Sequence, residues 1–276
     1  MFLSGLVLFY LLAYSVIDVL LNKNYRQNNA VFIWGDSQAY QGLDLNILTR
    51  TLESDVFTAA HHGAGVYDFL VFTDWVPEKS KVIVSTSNLA QIRRKENDYN
   101  RSGLSLWALK MMLQGGYDVS EVYTIGKNNL KPTKVIWQST TLYPFTDSLV
   151  KGLPIEHFEG YYNKVPSFLN IKQDLFIAGV ENLIRKECAI TFVEFPIYSS
   201  LLKVQTDSPI NENLQQYKLR LIAQFDTFGL DTIRMSHDKN IFRDLSHLNT
   251  LGATELSTSL GRQMLQQTGT TYYLVQ

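Results

Sequence analysis

Short apolar runs alternate with longer helix-like stretches along most of this chain. Four runs are rich in β-branched or aromatic residues, and two weaker ones resemble them: 30–34, 56–60, 81–85 and 189–195, then 134–137 and 232–235. Stretches of helical character lie between them, at residues 43–52, 67–75, 104–113, 168–185, 214–228 and 251–267. This alternation predicts an α/β fold in three layers, α/β/α, with a central parallel sheet covered by helices on both faces.

Residues 115–166 interrupt the alternation, because they are rich in Gly, Pro, Tyr and Lys and show little periodicity. We predict that they form an insertion over the sheet. A chain of 276 residues with 45% hydrophobic residues can bury the core of one large domain. That domain is predicted to cover residues 23–276.

The charge balance and the cysteine content exclude several classes of function. The 25 Lys and Arg nearly cancel the 26 Asp and Glu, so no basic field is present to bind nucleic acid. The single cysteine, Cys188, begins an apolar run and is predicted to be a buried core thiol. His61 and His62 suggest a metal, but neighbours on an extended segment point in opposite directions and no third ligand is evident. We therefore expect no metal and no cofactor.

Residues 3–21 form a largely apolar run that contains one charged residue, Asp18, and is long enough to span a bilayer. We interpret residues 1–22 as a membrane anchor or signal segment. The run lacks a basic start and a clear small-x-small cleavage site, which favours an uncleaved anchor. A buried N-terminal helix is the alternative. Lys23 and Arg26 follow the run and would keep the domain cytoplasmic by the positive-inside rule, although two charges are few.

A candidate nucleophile follows the first apolar run. The run at 30–34 ends in Gly35, which permits a sharp turn and places Ser37 at the carboxyl end of a strand, where parallel sheets bind ligands. The segment departs from the Gly-x-Ser-x-Gly elbow of α/β-hydrolases, because Ala39 replaces the second glycine. Asp36 is expected to stabilise the turn. The alternative for Ser37 is an ordinary turn serine that caps a helix.

A serine nucleophile needs a base, and the base needs an orienting group. Asp244 and His247 lie three residues apart, just before a helix that Asn249 could cap. At this spacing the carboxylate can hold one ring nitrogen while the other accepts a proton from Ser37. A simple capping loop is the alternative for this pair.

These segments together resemble the SGNH (GDSL-type) hydrolase superfamily. The resemblance rests on Gly35-Asp36-Ser37 near the start and on Asp244-x-x-His247-Leu248-Asn249 with Gly252-Ala253 near the end. Gly42-Leu43-Asp44, after an N-terminal hydrophobic segment, is similar to the membrane-anchored, cell-envelope branch. The resemblance spans residues 31 to about 265. It implies a flavodoxin-like α/β/α fold and a catalytic triad of Ser37, His247 and Asp244.

The resemblance also implies an oxyanion hole formed by the Ser37 N–H, a glycine and an asparagine. The glycine carries over to Gly63, with Gly65 as a rival. The Gly-x-Asn pattern usual in the family is absent, and Asn88, which follows the third apolar run, is the residue that we assign to this role.

Two hypotheses on function follow. The first is a membrane-anchored serine esterase or O-acyltransferase that faces the periplasm or cell exterior and acts on acyl esters, chiefly acetyl, of envelope polysaccharide or glycolipid. Hydrolysis and transfer differ only in the group that attacks the acyl-enzyme, and the sequence does not separate them. The second, motivated by the missing Gly-x-Asn, is a catalytically inactive envelope protein of the same fold. It would serve as a binding or assembly module beside a membrane-bound acyltransferase.

Overall fold

The computed structural model describes residues 30–86, 103–129, 155–156, 159, 169–225, 228–233, 239–266 and 271–275. The strands are β1 (Val31–Trp34), β2 (Val56–Thr58), β3 (Lys81–Ser85), β4 (Ala189–Glu194), β5 (Phe228–Ile233) and β6 (Thr271–Val275). The first helices are α1 (Ser37–Gly42), α2 (Leu45–Leu52), α3 (Val66–Trp75), α4 (Leu106–Gln114) and α5 (Val119–Asn128). The later helices are α6 (Leu169–Arg185), α7 (Ser199–Thr206), α8 (Ile210–Gln224) and α9 (Thr250–Leu265), and a 3₁₀ turn covers Lys239–Ile241.

The six strands form one sheet in the order β2-β1-β3-β4-β6-β5, and every neighbouring pair is parallel. The prediction of an α/β fold with a parallel sheet is therefore confirmed. From β1 the chain adds β2 on one side and β3 on the other. Such a change of direction opens a crevice at the carboxyl ends of β1 and β3, which is where open α/β sheets bind ligands.

Helices cover both faces of the sheet. Successive strand residues point to opposite sides, so these apolar strands present two faces that must each be buried. Phe32 and Trp34 pack into one core with α3, α4, α5, α6 and α8. Val31 and Ile33 pack into the other with α1, α2 and α9. This arrangement is compatible with the three-layer fold.

The membrane interpretation falls on residues 1–22, which lie outside the described part of the chain. Among the residues that are described, none of the helices is both long and apolar enough to cross a bilayer.

Several predicted elements differ from those observed. The stretch predicted as helical at 43–52 begins as a helix only at Leu45, because Asp44 caps α2 by accepting the N–H groups of Asn46 and Ile47. The helix predicted to reach residue 228 ends at Gln224, and Phe228 opens β5. Strand β6 and helix α7 were not predicted, and the candidate strand at 134–137 lies outside the described residues.

The region predicted as an insertion, residues 115–166, contains regular structure in its described part. Helix α5 packs on α4, and Val122 and Ile125 are buried in the core on that face of the sheet. Residues 119–128 therefore form a helix that the sequence did not predict. Most of the remainder lies outside the described residues.

The helix that follows the candidate base requires a glycine at its third position. A Cβ added at Gly252 would lie 2.4 Å from the carbonyl oxygen of Ile241, a backbone atom that cannot turn away. We expect Gly252→Ala to lower the free energy of unfolding by about 1–3 kcal/mol, measured by urea denaturation. Gly126→Ala is the matched control, because its Cβ would meet terminal side-chain carbons of leucines, the nearest being Leu109 Cδ1 at 3.2 Å. Equal losses in the two variants would contradict this account.

Candidate active site

Ser37 is placed by a turn that only glycine fits. A Cβ at Gly35 would lie 2.5 Å from the Cβ of Ala39 and 2.6 Å from that of Ser85. Asp36 is buried, and its Oδ1 accepts the N–H of Gln38 at 3.0 Å, which caps α1. The predicted role of Asp36 in stabilising the turn is confirmed. Ser37 is consequently the first residue of α1, at the carboxyl end of β1.

Asp244 and His247 lie in a tight turn, which we call the Asp–His loop (residues 242–248). Phe242 and Leu248 form a β-bridge at its base, and the N–H of Arg243 donates to the His247 carbonyl at 2.9 Å. Inside the loop, Asp244 Oδ1 accepts the N–H groups of Ser246 at 2.8 Å and of His247 at 2.9 Å. The three-residue spacing thus lets one carboxylate organise the loop that carries the imidazole.

Asn249 fixes the loop to the next helix. Its Oδ1 accepts the N–H of Gly252 at 3.1 Å and caps α9, as the sequence predicted. Its amide nitrogen also donates to the carbonyl of Asn240. The loop is therefore anchored on both sides of the imidazole.

The structure brings the three predicted residues together. His247 Nε2 lies 2.8 Å from Ser37 Oγ, and His247 Nδ1 lies 2.9 Å from each carboxylate oxygen of Asp244. A carboxylate at Nδ1 favours the tautomer with hydrogen on that nitrogen, which leaves Nε2 to accept the serine proton. The side chains of His247 and Asp244 are only 20% and 18% exposed, so the array is largely shielded but still reachable.

The environment of Asp244 keeps it ionised. Burial by itself would raise the pKa of its carboxyl group, but the hydrogen bond and charge of His247, with the hydrogen bonds from Ser246, outweigh burial and lower the pKa below its ordinary value of 3.8. Asp244 is therefore a carboxylate at neutral pH, able to stabilise an imidazolium.

This lowered pKa predicts a pH-dependent contribution to stability. Because the pKa of Asp244 in the folded protein lies below its ordinary value of 3.8, the contribution is present above that value and is lost as the pH falls through the folded pKa. We expect Asp244→Asn to unfold more easily than the wild type at pH 7, and the difference to shrink below about pH 4. Urea denaturation across this pH range measures it. A difference that stays constant or grows on acidification would contradict the assignment.

The loop after β2 lies beside the turn that carries Ser37. His61 N–H donates to the Gly35 carbonyl at 3.1 Å, and Gly63 follows with a positive φ of 74°. In the described part of the chain the Gly63 N–H has no hydrogen-bond acceptor, whereas the Gly65 N–H donates to Asp68 Oδ2 at 3.1 Å. Gly63 is therefore better able than Gly65 to donate to a ligand. Asn88, the third predicted oxyanion donor, lies outside the described residues.

His61 and His62 face different partners. His61 Nδ1 is 3.1 Å from the Ala59 carbonyl oxygen and its Nε2 is 3.5 Å from Asp68 Oδ2. His62 Nε2 is instead 3.4 Å from the amide nitrogen of Gln41. Within the described ranges, no three His, Cys, Asp or Glu residues converge so as to hold a metal ion.

Cys188 lies away from this site, directly before β4. It is buried, and its Sγ lies 3.6 Å from the Pro77 carbonyl oxygen. Burial raises the pKa of the Cys188 thiol, which disfavours the reactive thiolate. The prediction of a buried core thiol is confirmed.

The structure also shows polar side chains around the array that the sequence did not single out. Gln38 Nε2 donates to the Ser246 carbonyl at 2.8 Å, and Ser246 Oγ lies 3.1 Å from both Asp244 Oδ1 and His247 Nδ1. Gln38 and Ser246 are immediate neighbours of Ser37 and His247, and this proximity was the only sequence signal. Arg243 Nη1 reaches Gln41 Oε1 at 3.4 Å, a contact that no motif indicated.

No protein-family model matches this sequence, and a search of curated proteins finds no match either. A function for the chain must therefore be inferred from the side chains at the carboxyl edge of the sheet. Here a serine hydroxyl is hydrogen-bonded to one nitrogen of an imidazole, and a carboxylate is hydrogen-bonded to the other. This arrangement can activate the serine for attack on a carbonyl carbon.

Proposed function

We propose that the protein is a serine esterase or O-acyltransferase of the SGNH type, with Ser37, His247 and Asp244 as its catalytic triad. One observation carries the proposal, namely His247 Nε2 at 2.8 Å from Ser37 Oγ with Asp244 at 2.9 Å from Nδ1. Both distances are those of formed hydrogen bonds. The strand order β2-β1-β3-β4, which is also that of flavodoxin-like sheets, supports the proposed fold family.

The proposed reaction has two steps. Ser37 Oγ attacks the ester carbonyl carbon while His247 Nε2 takes the hydroxyl proton, and the tetrahedral intermediate expels the alcohol, which receives that proton. In the second step His247 removes a proton from water or from a sugar hydroxyl, whose oxygen attacks the acyl carbon. The bond to Ser37 Oγ then breaks, this oxygen takes the proton back from His247, and the carboxylic acid or the acylated sugar is released. The carboxylate of Asp244 stabilises the imidazolium that forms in each step.

The negative charge on the tetrahedral oxygen needs donors, and we assign them to the N–H groups of Ser37 and Gly63. Ser37 is the first residue of α1, and helix geometry leaves that N–H without an intrahelical acceptor. Gly63 adds an N–H without an acceptor among the described residues, in the loop held to Gly35 by His61. Asn88 remains the proposed third donor. Each such donor typically contributes about 10²–10³ in rate.

The proposed substrates are acyl esters, chiefly acetyl, of envelope polysaccharide or glycolipid. This choice follows from the resemblance to the anchored branch of the superfamily and from the apolar run at residues 3–21, which would hold the domain at a membrane. The near balance of charges offers no feature that would favour nucleic acid.

Covalent labelling with a fluorophosphonate probe tests this proposal. We expect the full-length chain to form one adduct, mapped by peptide mass spectrometry to Ser37. Ser120→Ala, which changes an exposed serine of α5, is expected to label like the wild type, and Ser37→Ala is expected not to label. A wild-type protein that neither labels nor turns over any acyl ester would reject the proposal and favour the non-catalytic binding module.

A further inference from the structure

One peptide unit in the Asp–His loop is held at both of its polar ends. Its carbonyl belongs to Ser246 and its N–H to His247, and in a planar trans peptide these two groups point in opposite directions. The N–H donates to Asp244 Oδ1 at 2.9 Å, and the carbonyl accepts from Gln38 Nε2 at 2.8 Å. The peptide next to the Cα of His247 is thus fixed between Asp244 and the residue that follows Ser37.

We propose that Gln38 is a positioning residue that orients His247 toward Ser37, an inference that rests on the proposed function. Gln38 follows Ser37 in α1, so its hydrogen bond to the Ser246 carbonyl sets the separation between the helix of the nucleophile and the loop of the base. A second side-chain bond from α1 to this loop joins Gln41 to Arg243, at a longer 3.4 Å.

The far side of the loop is held by a different element. Tyr198 N–H donates to the Leu245 carbonyl at 2.9 Å, one residue before the carbonyl that Gln38 holds. Without the Gln38 bond, that attachment, the Phe242–Leu248 bridge and the Arg243–Gln41 bond would remain, and the peptide next to His247 could shift between them. The imidazole would then move relative to Ser37 Oγ while the fold stayed intact.

The hydrogen bonds also act in series. Gln38 donates to the carbonyl of the peptide whose N–H donates to Asp244, and hydrogen bonds arranged in a chain polarise one another. The Gln38 bond therefore strengthens the hydrogen bond from the His247 N–H to Asp244, the carboxylate that orients the imidazole.

Kinetics of a near-isosteric variant test this inference. Gln38→Leu keeps the side-chain size but lacks a donor, and we expect kcat for an aryl acetate to fall about 10- to 100-fold with KM changed less than about twofold. Gln38→Lys retains a donor, one bond further from the backbone on a flexible side chain, and is expected to recover part of the lost kcat. Gln216→Leu, the same change on the exposed face of α8, is the control and is expected to behave like the wild type.

The positioning role of Gln38 is overturned if Gln38→Leu retains the wild-type kcat, or if Gln38→Lys loses as much kcat as Gln38→Leu. A second readout does not depend on turnover, namely the ¹⁵N signals of the His247 ring by NMR. We expect them to shift or broaden in Gln38→Leu and to stay unchanged in Gln216→Leu. If the wild type turns over no ester, the proposed function fails and the NMR result alone decides: identical His247 signals in wild type and Gln38→Leu overturn the positioning role.

Discussion

Replacement of Ser37 by alanine is expected to lower kcat/KM for an aryl acetate by at least about 10³-fold, because the proposed acyl-enzyme forms on the Ser37 hydroxyl. The hydroxyl of Ser37 is the one bonded to His247 Nε2, at 2.8 Å, and the substitution removes only that oxygen. Steady-state kinetics with the full-length chain measure the effect, and urea denaturation checks that the variant is folded.

Ser246 provides the sharpest comparison for this prediction. Its hydroxyl also contacts His247, but at Nδ1, the nitrogen that faces Asp244. A hydroxyl there cannot transfer its proton to the nitrogen that serves as the base. We therefore expect Ser246→Ala to retain a measurable fluorophosphonate adduct on Ser37. Labelling lost in Ser246→Ala and kept in Ser37→Ala would mean that the nucleophile has been assigned to the wrong serine.

Replacement of His247 is expected to be as damaging as replacement of Ser37, because a serine without its base is not activated. We expect His247→Ala to lose at least about 10³-fold in kcat/KM, and the double variant Ser37→Ala, His247→Ala to lose no more than either single variant. Such non-additivity is the signature of residues that act as one unit.

The three variants are compared with the same aryl acetate under identical conditions. Losses that multiply in the double variant would show that Ser37 and His247 act independently, contrary to the proposed triad. A His247→Ala variant with the wild-type rate would have the same meaning.

The elements that could be predicted are those whose burial shows as a run of apolar residues in the local sequence. Strands β1, β3 and β4 are short apolar runs with buried side chains on both faces, and this pattern is visible without knowing their neighbours. Strand β6 was missed because its tyrosines also suit a groove or a packed loop, and its place between β4 and β5 depends on pairing with distant residues. Helix α7 was missed because Leu201 is its one buried residue and gives no periodicity.

The residues of the candidate site that lie in the two short sequence motifs could be predicted, and the others could not. Ser37, Asp244 and His247 were chosen by the order and spacing of two short segments, and the structure brings them within hydrogen-bond distance. Gln38 could not be chosen, because its amide is informative only through a carbonyl 208 residues away. Gly63 was already preferred to Gly65 from the sequence, but the reason that favours it, the bond from the Gly65 N–H to Asp68 Oδ2, is visible only in the folded loop.

The most direct test of the central claim is to observe the acyl-enzyme itself. The full-length chain is mixed with an aryl acetate, quenched in acid during turnover and examined by intact-protein and peptide mass spectrometry. The proposed mechanism predicts one acetyl group per molecule, on the peptide that contains Ser37, and its disappearance when the substrate is exhausted. Turnover with acetyl on any other residue, or no adduct and no turnover with any acyl ester offered, would contradict it.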